Sequence, residues 1–328
     1  MVKVHILDAG HGDCILVDCN NTNILIDAGP STFKCRRRIM EKLIELLDGQ
    51  QIDIAFVTHN DDDHIGGFKY LIKEKIKIKK IIFNSLDSIA HITRDNESNK
   101  ISTRQDIELD SIIKKSSIIY EALNKDDGPI FINDIKILPI SPSREILLNY
   151  LNKKTDKIEQ RKISSKLKDK YSLKEAFYIV SNGYDVFEKD SSITNKTSLS
   201  FIIEYLGFRG LFLGDAHEED IYSYLNCNNK TFFNVVKLSH HGGCKNTSSR
   251  LIKLFDKDTE YIICADKTKN NHPNNLTIAR IVLAQSKPTI NLSSCNYDLR
   301  KSFEELKDLG FDANITYAKN GVNTLNYE

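Results

Sequence analysis

Between His59 and His64 the chain packs two histidines and three aspartates into six residues, His59-Asn60-Asp61-Asp62-Asp63-His64, and a Gly66-Gly67 pair follows. Imidazole nitrogens and carboxylate oxygens are common side-chain ligands of Zn, Mn and Fe, so this composition points to a divalent metal site. Alternate residues of an extended loop project to one side. On that spacing His59, Asp61 and Asp63 are expected to face one way with His64 beside them, while Asp62 is read as an exposed neighbour. The apolar run before the cluster, residues 52–58, reads as a buried strand, which puts the cluster at a strand's C-terminal end, where catalytic loops commonly sit.

Further blocks along the chain carry the same kinds of side chain. They are His5 to Val17, with a Gly10-His11-Gly12-Asp13 turn; Ile24 to Gly29, with Asp27; Asn195-Lys196-Thr197-Ser198-Leu199; Phe212-Leu213-Gly214-Asp215; Val235 to Gly243, with His240-His241; and Asn271-His272-Pro273. In this order, with His59-x-Asp61-x-Asp63-His64, they resemble the metallo-β-lactamase superfamily. The Asp at the third position of the signature resembles the variant found in the metallo-β-lactamase domain of ComEC, a bacterial DNA-uptake channel. The resemblance implies an α/β chain (α+β by some schemes), a four-layer αββα sandwich. It also implies a centre in which His59 and Asp61 hold one metal, Asp63 and His64 a second, and Asp215 bridges them. One of His240 and His241, with His272, completes the set, and the sequence leaves open which histidine of the pair is the ligand. His272 is a ligand or an oxyanion donor. Asp13 and Asp27 are read as residues that fix turns and orient ligands. The catalytic residues on this reading are Asp63, His241 and His272, and the cofactors are two divalent ions, Zn or Mn. Asp61 in place of the usual second His makes the site richer in oxygen, which favours Mn. His91 is the one histidine between the first cluster and Asp215 and is a weaker candidate ligand. His5, His11 and His217 are read as strand, turn and surface residues.

The elements that must position these groups follow from composition and periodicity. With 328 residues, 40% hydrophobic and 28% charged, the chain falls in the globular range. We expect one domain over residues 1–328, with an inserted helical segment at about 143–190. Apolar periodicity predicts helices over residues 35–48, 68–75, 108–123, 218–225, 248–255 and 276–286. Strands are predicted over 52–58, 78–83, 130–132, 135–138, 199–205, 210–213, 235–238, 261–265 and 289–292. Seven Cys without a Cys-x-x-Cys pair are read as reduced thiols, and Cys244, just past the His pair, as a packed thiol in preference to one that approaches the metal. No apolar run reaches the roughly 18–20 residues that span a bilayer, and no signal-peptide pattern opens the chain, so the expected location is cytoplasmic, without membrane insertion.

The net charge of +1 gives no global sign of a nucleic-acid partner. Locally, residues 153–174 hold nine Lys or Arg against three acidic residues, at roughly helical spacing with Ile158, Ile163, Leu167, Tyr171 and Leu173. The plain reading is a solvated helical face; the sharper one is a clamp for a polyanion, with Lys153, Lys154, Lys157, Arg161 and Lys162 touching substrate. The leading expectation is a two-metal phosphodiesterase, a nuclease acting on DNA. The alternatives are a hydrolase of a small substrate (cyclic nucleotide, phosphate ester, lactone or thioester), a partner-gated effector, and a non-catalytic regulatory module. A walled cavity built by the inserted segment would favour a small substrate, and an open groove lined with lysines would favour nucleic acid. A partner protein or a homo-oligomer fits the resemblance.

Overall fold

The apolar runs are rich in Ile, Val and Phe, which suit a pleated surface buried on both faces. In the computed structural model, which describes residues 1–74, 76–93, 104–156, 169–228 and 231–328, these runs pair into two sheets. The strands are β1 (Val2–Leu7), β2 (Ile15–Cys19), β3 (Thr22–Ile26), β4 (Ile54–Val57), β5 (Lys80–Phe83), β6 (Ile119–Glu121), β7 (Ile130–Ile132), β8 (Ile135–Ser141), β9 (Ser200–Tyr205), β10 (Phe208–Phe212), β11 (Val235–Lys237), β12 (Glu260–Ile263), β13 (Thr289–Leu292), β14 (Asn314–Thr316) and β15 (Val322–Tyr327). The first sheet runs β15-β1-β2-β3-β4-β5-β6 and the second β14-β13-β12-β11-β10-β9-β8-β7.

Three apolar layers hold the elements together. Between the sheets, Val4, Ile6, Val17, Ile24, Ile54 and Phe56 meet Ile137, Phe201, Ile203, Phe212, Val235 and Ile262. On the outer face of the first sheet, Leu16, Leu25, Ala55 and Ile81 pack against Ile39 and Leu43 of helix Phe33–Leu47 and Phe68 of helix Phe68–Lys73. On the outer face of the second, Leu211, Val236 and Ile263 pack against Ile221 of helix Glu218–Cys227, Ile278 of helix Asn275–Ala284 and Phe303 of helix Tyr297–Asp308. The layer order is therefore αββα, as expected.

Strand direction positions the site. Strands β3, β4 and β5 run parallel, as do β10, β11 and β12, so their C-terminal ends gather on one edge of each sheet. Ligand sites of open α/β sheets commonly form at such carboxyl ends. The Leu199 N–H donates to the Thr58 carbonyl at 2.8 Å, which ties the two edges together at this point.

Three expectations need correction. The helix predicted over 108–123 ends at Lys114, and residues 119–121 form β6 instead, because Ser116-Ser117 interrupts the helical run and Ile119–Glu121 finds a free parallel edge on β5. The helix expected at 248–255 shortens to Ser249–Ile252. The cluster after β4 is extended only as far as Asp61; Asp62–Ile65 is a turn of helix with Asp61 at its N-cap, so alternation along an extended loop is not what aims these side chains. In the segment expected to be inserted, helices Arg144–Asp156 and Leu173–Ser181 form, and residues 157–168 lie outside the described residues. No helix among the described residues is long and apolar enough to cross a membrane.

Candidate metal centre

Four elements deliver polar side chains to one point between the sheet edges. His59 and Asp61 follow β4, and Asp63 and His64 lie in the short helix after it. Asp215 follows β10, and His240-His241 follow β11. Both histidines adopt left-handed backbone, φ 50° and 56°, and Gly242 follows at 77°. Such conformations are costly for a side chain bearing a Cβ, and here they turn two consecutive imidazoles toward Asp215.

Asp215 is the hub. Its Oδ2 lies 3.7 Å from the Nε2 atoms of His59, His240 and His241, and its Oδ1 lies 3.4 Å from His64 Nε2. Asp61 Oδ2 is 3.7 Å from His59 Nε2, and Asp63 Oδ2 is 3.5 Å from His241 Nε2. His59, His64, Asp63, Asp215 and His241 are buried, whereas the Asp61 side chain is half exposed at 51%. His272, buried on a loop after β12, stands beside them with its ring 4.8 Å from that of His240.

The opposite nitrogen of each of these four histidines is held by an acceptor. Thr58 Oγ1 gives its own hydrogen to Asp27 Oδ2 at 2.7 Å and so receives His59 Nδ1–H at 3.1 Å. His64 Nδ1 donates to Asp27 Oδ2 at 2.7 Å. His240 Nδ1 donates to Asn246 Oδ1 at 3.0 Å, and His241 Nδ1 donates to the Cys264 carbonyl at 2.9 Å, with the Asp13 carboxylate 3.1 Å away. All four Nε2 atoms therefore face the centre. Those of His59, His64 and His241, with Asp215 Oδ1, are buried without a hydrogen-bond partner among the described residues. A buried polar atom left unpaired costs about 1–3 kcal/mol. Several sharing one small space, with their opposite nitrogens fixed, have the donor set and orientation of a divalent-metal site, and the residues fit one.

Charge tells the same story. Burial pulls His241 down, but Asp215 and Asp13 outweigh it and raise it to about 9. Burial likewise opposes the His64 imidazolium, and Asp215, Asp27 and Asp13 still raise it well above its ordinary value. Asp63 and Asp215 are held well below the carboxylate range despite burial, Asp63 by His241 and His64, Asp215 by His64, His241 and His240. The site thus gathers positive charge around its carboxylates, and a divalent ion bound there would replace those protons.

Asp13, His64, Asp215 and His241 form one buried group with a donor atom of each within 4.8 Å of the others. Asp13 nevertheless sits behind the histidines: Lys237 Nζ contacts its Oδ2, and its Oδ1 meets the His241 Nδ1 side. Burial raises Asp13, while Lys237, His241 and His64 bring it down to about 2. Asp27 lies behind the histidines as well, bound by Thr58 and His64.

Other expectations resolve as follows. Asp62 accepts from the Ser31 N–H and Gln105 and stays out of the centre. His5 bonds Thr324 within the first sheet; His217, read as a surface residue, is instead buried at the N-cap position of a helix, where its ring bonds the Ser192 carbonyl. His11, read as a turn residue, lines the small cavity of about 200 Å3 over Asp61, Asp63 and Asp215. Cys244 lines a larger cavity of about 600 Å3 rather than this small one. The side chains of His91, Lys153 and Lys154, and residues Lys157, Arg161 and Lys162, lie outside what the structure describes. Sequence reasoning passed over Lys237 and Lys269. Lys269 Nζ reaches Asp63 Oδ2 at 3.0 Å from the loop that carries His272. Neither lysine has a spacing that marks it, although Lys237 directly precedes the Leu238-Ser239-His240-His241 run.

Residues 7–127 match the model of the metallo-beta-lactamase superfamily. No curated protein matches the chain in sequence. Among solved structures, Zn(2+)-bound PqqB from Methylobacterium extorquens is similar over 100% of both chains, at 10% identity and a TM-score of 0.50. Igni18, a metallo hydrolase from the hyperthermophilic archaeon Ignicoccus hospitalis, is similar over 99% of this chain and 100% of its own, at 12% identity and a TM-score of 0.44. A diphosphatase of the PhnP family is similar over 100% of this chain and 98% of its own, at 11% identity and a TM-score of 0.46. The family match covers residues 7–127, and the fold is the αββα sandwich of that superfamily.

Proposed function

We propose that this metallo-β-lactamase fold is a metal-dependent hydrolase of phosphodiesters, a nuclease acting on DNA in its leading form. The observation that carries a metallo-hydrolase is the convergence of four imidazole Nε2 atoms and the carboxylates of Asp61 and Asp63 around Asp215, with each Nδ1 locked from behind. In this reading His59, Asp61, Asp63, His64, Asp215, His240 and His241 would hold the divalent ions. Divalent ions bound to such a set lower the pKa of a water and polarise a phosphoryl oxygen.

The remaining residues act on the substrate. Lys269, 3.0 Å from Asp63 and partly exposed at the mouth of the small cavity, places an ammonium where a non-bridging phosphate oxygen would lie. Burial, followed by His240 and His241, keeps His272 neutral. A neutral imidazole can donate its N–H as a hydrogen bond to a phosphoryl oxygen or accept one from a water, and His272 lines both the small cavity and the larger one. Lys237 and Asp13 hold His241 in place from below.

A second reading, hydrolysis of a small phosphodiester such as a cyclic nucleotide, is favoured by the larger cavity, which residues 169–190 wall on one side. One experiment separates these readings. Metal-depleted protein, resupplied with Mn or Zn, is given end-labelled single- and double-stranded DNA and RNA, and cyclic nucleotides in parallel, beside Asp63→Ala and His64→Ala controls. Metal-dependent DNA cleavage lost in both controls is expected. Cleavage of cyclic nucleotides alone would move the assignment to the small substrate, and no hydrolysis of any ester by protein carrying two ions would sink the phosphodiesterase.

A further inference from the structure

The larger cavity adjoins the candidate centre, and His240, Asn270 and His272 line both spaces. We propose that it is a nucleoside subsite, receiving the base and sugar of a nucleotide whose phosphate lies at the centre; this rests on the phosphodiesterase reading above. At about 600 Å3 it lies within the range of roughly 300–1,000 Å3 typical of small-molecule sites.

Its charge argues for a neutral guest. Every carboxylate on its wall has a partner: Asp169 pairs with Lys267 at 3.4 Å, Asp185 with Arg280 at 2.6 Å, and Glu188 with Lys170 at 3.3 Å and Lys245 at 3.7 Å. Asp190 accepts from the Asn195 and Asn246 amides at 2.7 and 2.9 Å. The cations on the wall are therefore already engaged, and a second phosphate running through the cavity would meet balanced charge rather than a binding stripe.

Its apolar surface argues for a flat guest. Asp185 is pinned by two Arg280 nitrogens at 2.8 and 2.6 Å and by Ser249 at 3.2 Å. The residues on either side of this anchor, Tyr184 and Val186, line the cavity and are 65% and 83% exposed. Apolar groups held in the open on a pinned loop, at the mouth of a cavity, are a stacking platform, and a nucleobase is a planar ring that such a platform receives. Tyr171 supplies a second aromatic wall, and Asn270 an amide where the two spaces meet.

The test reads binding without turnover. Zn-loaded protein is titrated by calorimetry with thymidine 5′-phosphate, ribose 5-phosphate and inorganic phosphate. The nucleotide is expected to bind roughly tenfold tighter than either base-free phosphate, the scale of one base stacked on one ring. Tyr184→Ala, shown to be folded by an unchanged thermal melt, should abolish that preference, and Tyr184→Phe should keep it. Equal affinity for the three ligands, no binding of the nucleotide, or a preference that survives Tyr184→Ala would overturn the subsite. Because no ester is cleaved, failure of the hydrolase reading leaves a positive result standing, and failure here leaves a metal-dependent hydrolase intact.

Discussion

Asp27 stands behind the candidate metal ligands, yet two histidines depend on it: His64 directly, and His59 through the Thr58 hydroxyl. Removing its charge should let both rings turn. Asp27→Asn is expected to weaken Zn affinity about 10- to 100-fold, the usual scale for such supporting groups, and competition with a chromophoric chelator would measure it. An affinity unchanged from wild type would show that packing alone orients the rings. The residues that face the centre were legible in the sequence because ligand chemistry allows few side-chain types, and His59, Asp61, Asp63, His64 and Asp215 all converge as expected. Asn246 and Lys237 were not. An amide that holds His240 and an ammonium that sits under Asp13 are defined by neighbours distant in the chain, and no local pattern announces them.

At the level of elements, the loop from Asp61 to Gly67 is held by how closely it lies on the strand ends beside it. The Gly67 N–H donates to the Gly29 carbonyl at 2.9 Å, and a Cβ at Gly67 would run into the Ala28 carbonyl. Gly67→Ala must therefore push the loop and its ligands away from β3. Overpacking of this kind costs about 1–3 kcal/mol, so urea unfolding should show a loss of that size, together with weaker metal binding. Stability equal to wild type would mean that the loop yields without strain. Many strands were read closely from their apolar runs, and β13 matches its expected bounds, Thr289–Leu292, whereas β14 and β15 had no expected counterpart. The short helix Asp62–Ile65 was hidden because its four residues span about one turn, too little for a 3.6-residue period to show. The left-handed His240 and His241 were equally hidden, since that conformation is imposed by the centre they serve and not by their own preference.

Across the whole molecule, the candidate ligands come from both sheets, so the charge of the centre bears on the stability of the entire fold. His64 and His241 are raised above the ordinary 6.5, His241 to about 9. Their contribution in the metal-free protein is complete below pH 6.5 and disappears as pH rises through the raised values. Asp63 and Asp215, lowered from 3.8, contribute fully above that value and lose their contribution only as pH falls through their depressed ones. Metal-free protein should therefore lose stability between about pH 6.5 and 9, and bound Zn should flatten the loss, because the ion takes the place of the two protons. Thermal melts across that window, with and without chelator, measure it; a metal-free midpoint that stays flat would show that these protons do not support the fold. The path of the chain adds a consequence for synthesis. Strand β1 pairs with β2 on one side and, along its other edge, with β15, from Val2 opposite Tyr327 to Leu7 opposite Val322. On the ribosome, β1 must wait with that edge open until residues 322–327 have emerged. A message cut short before them would leave an unpaired strand that invites aggregation, so the cell would meet a chain for its proteases to clear.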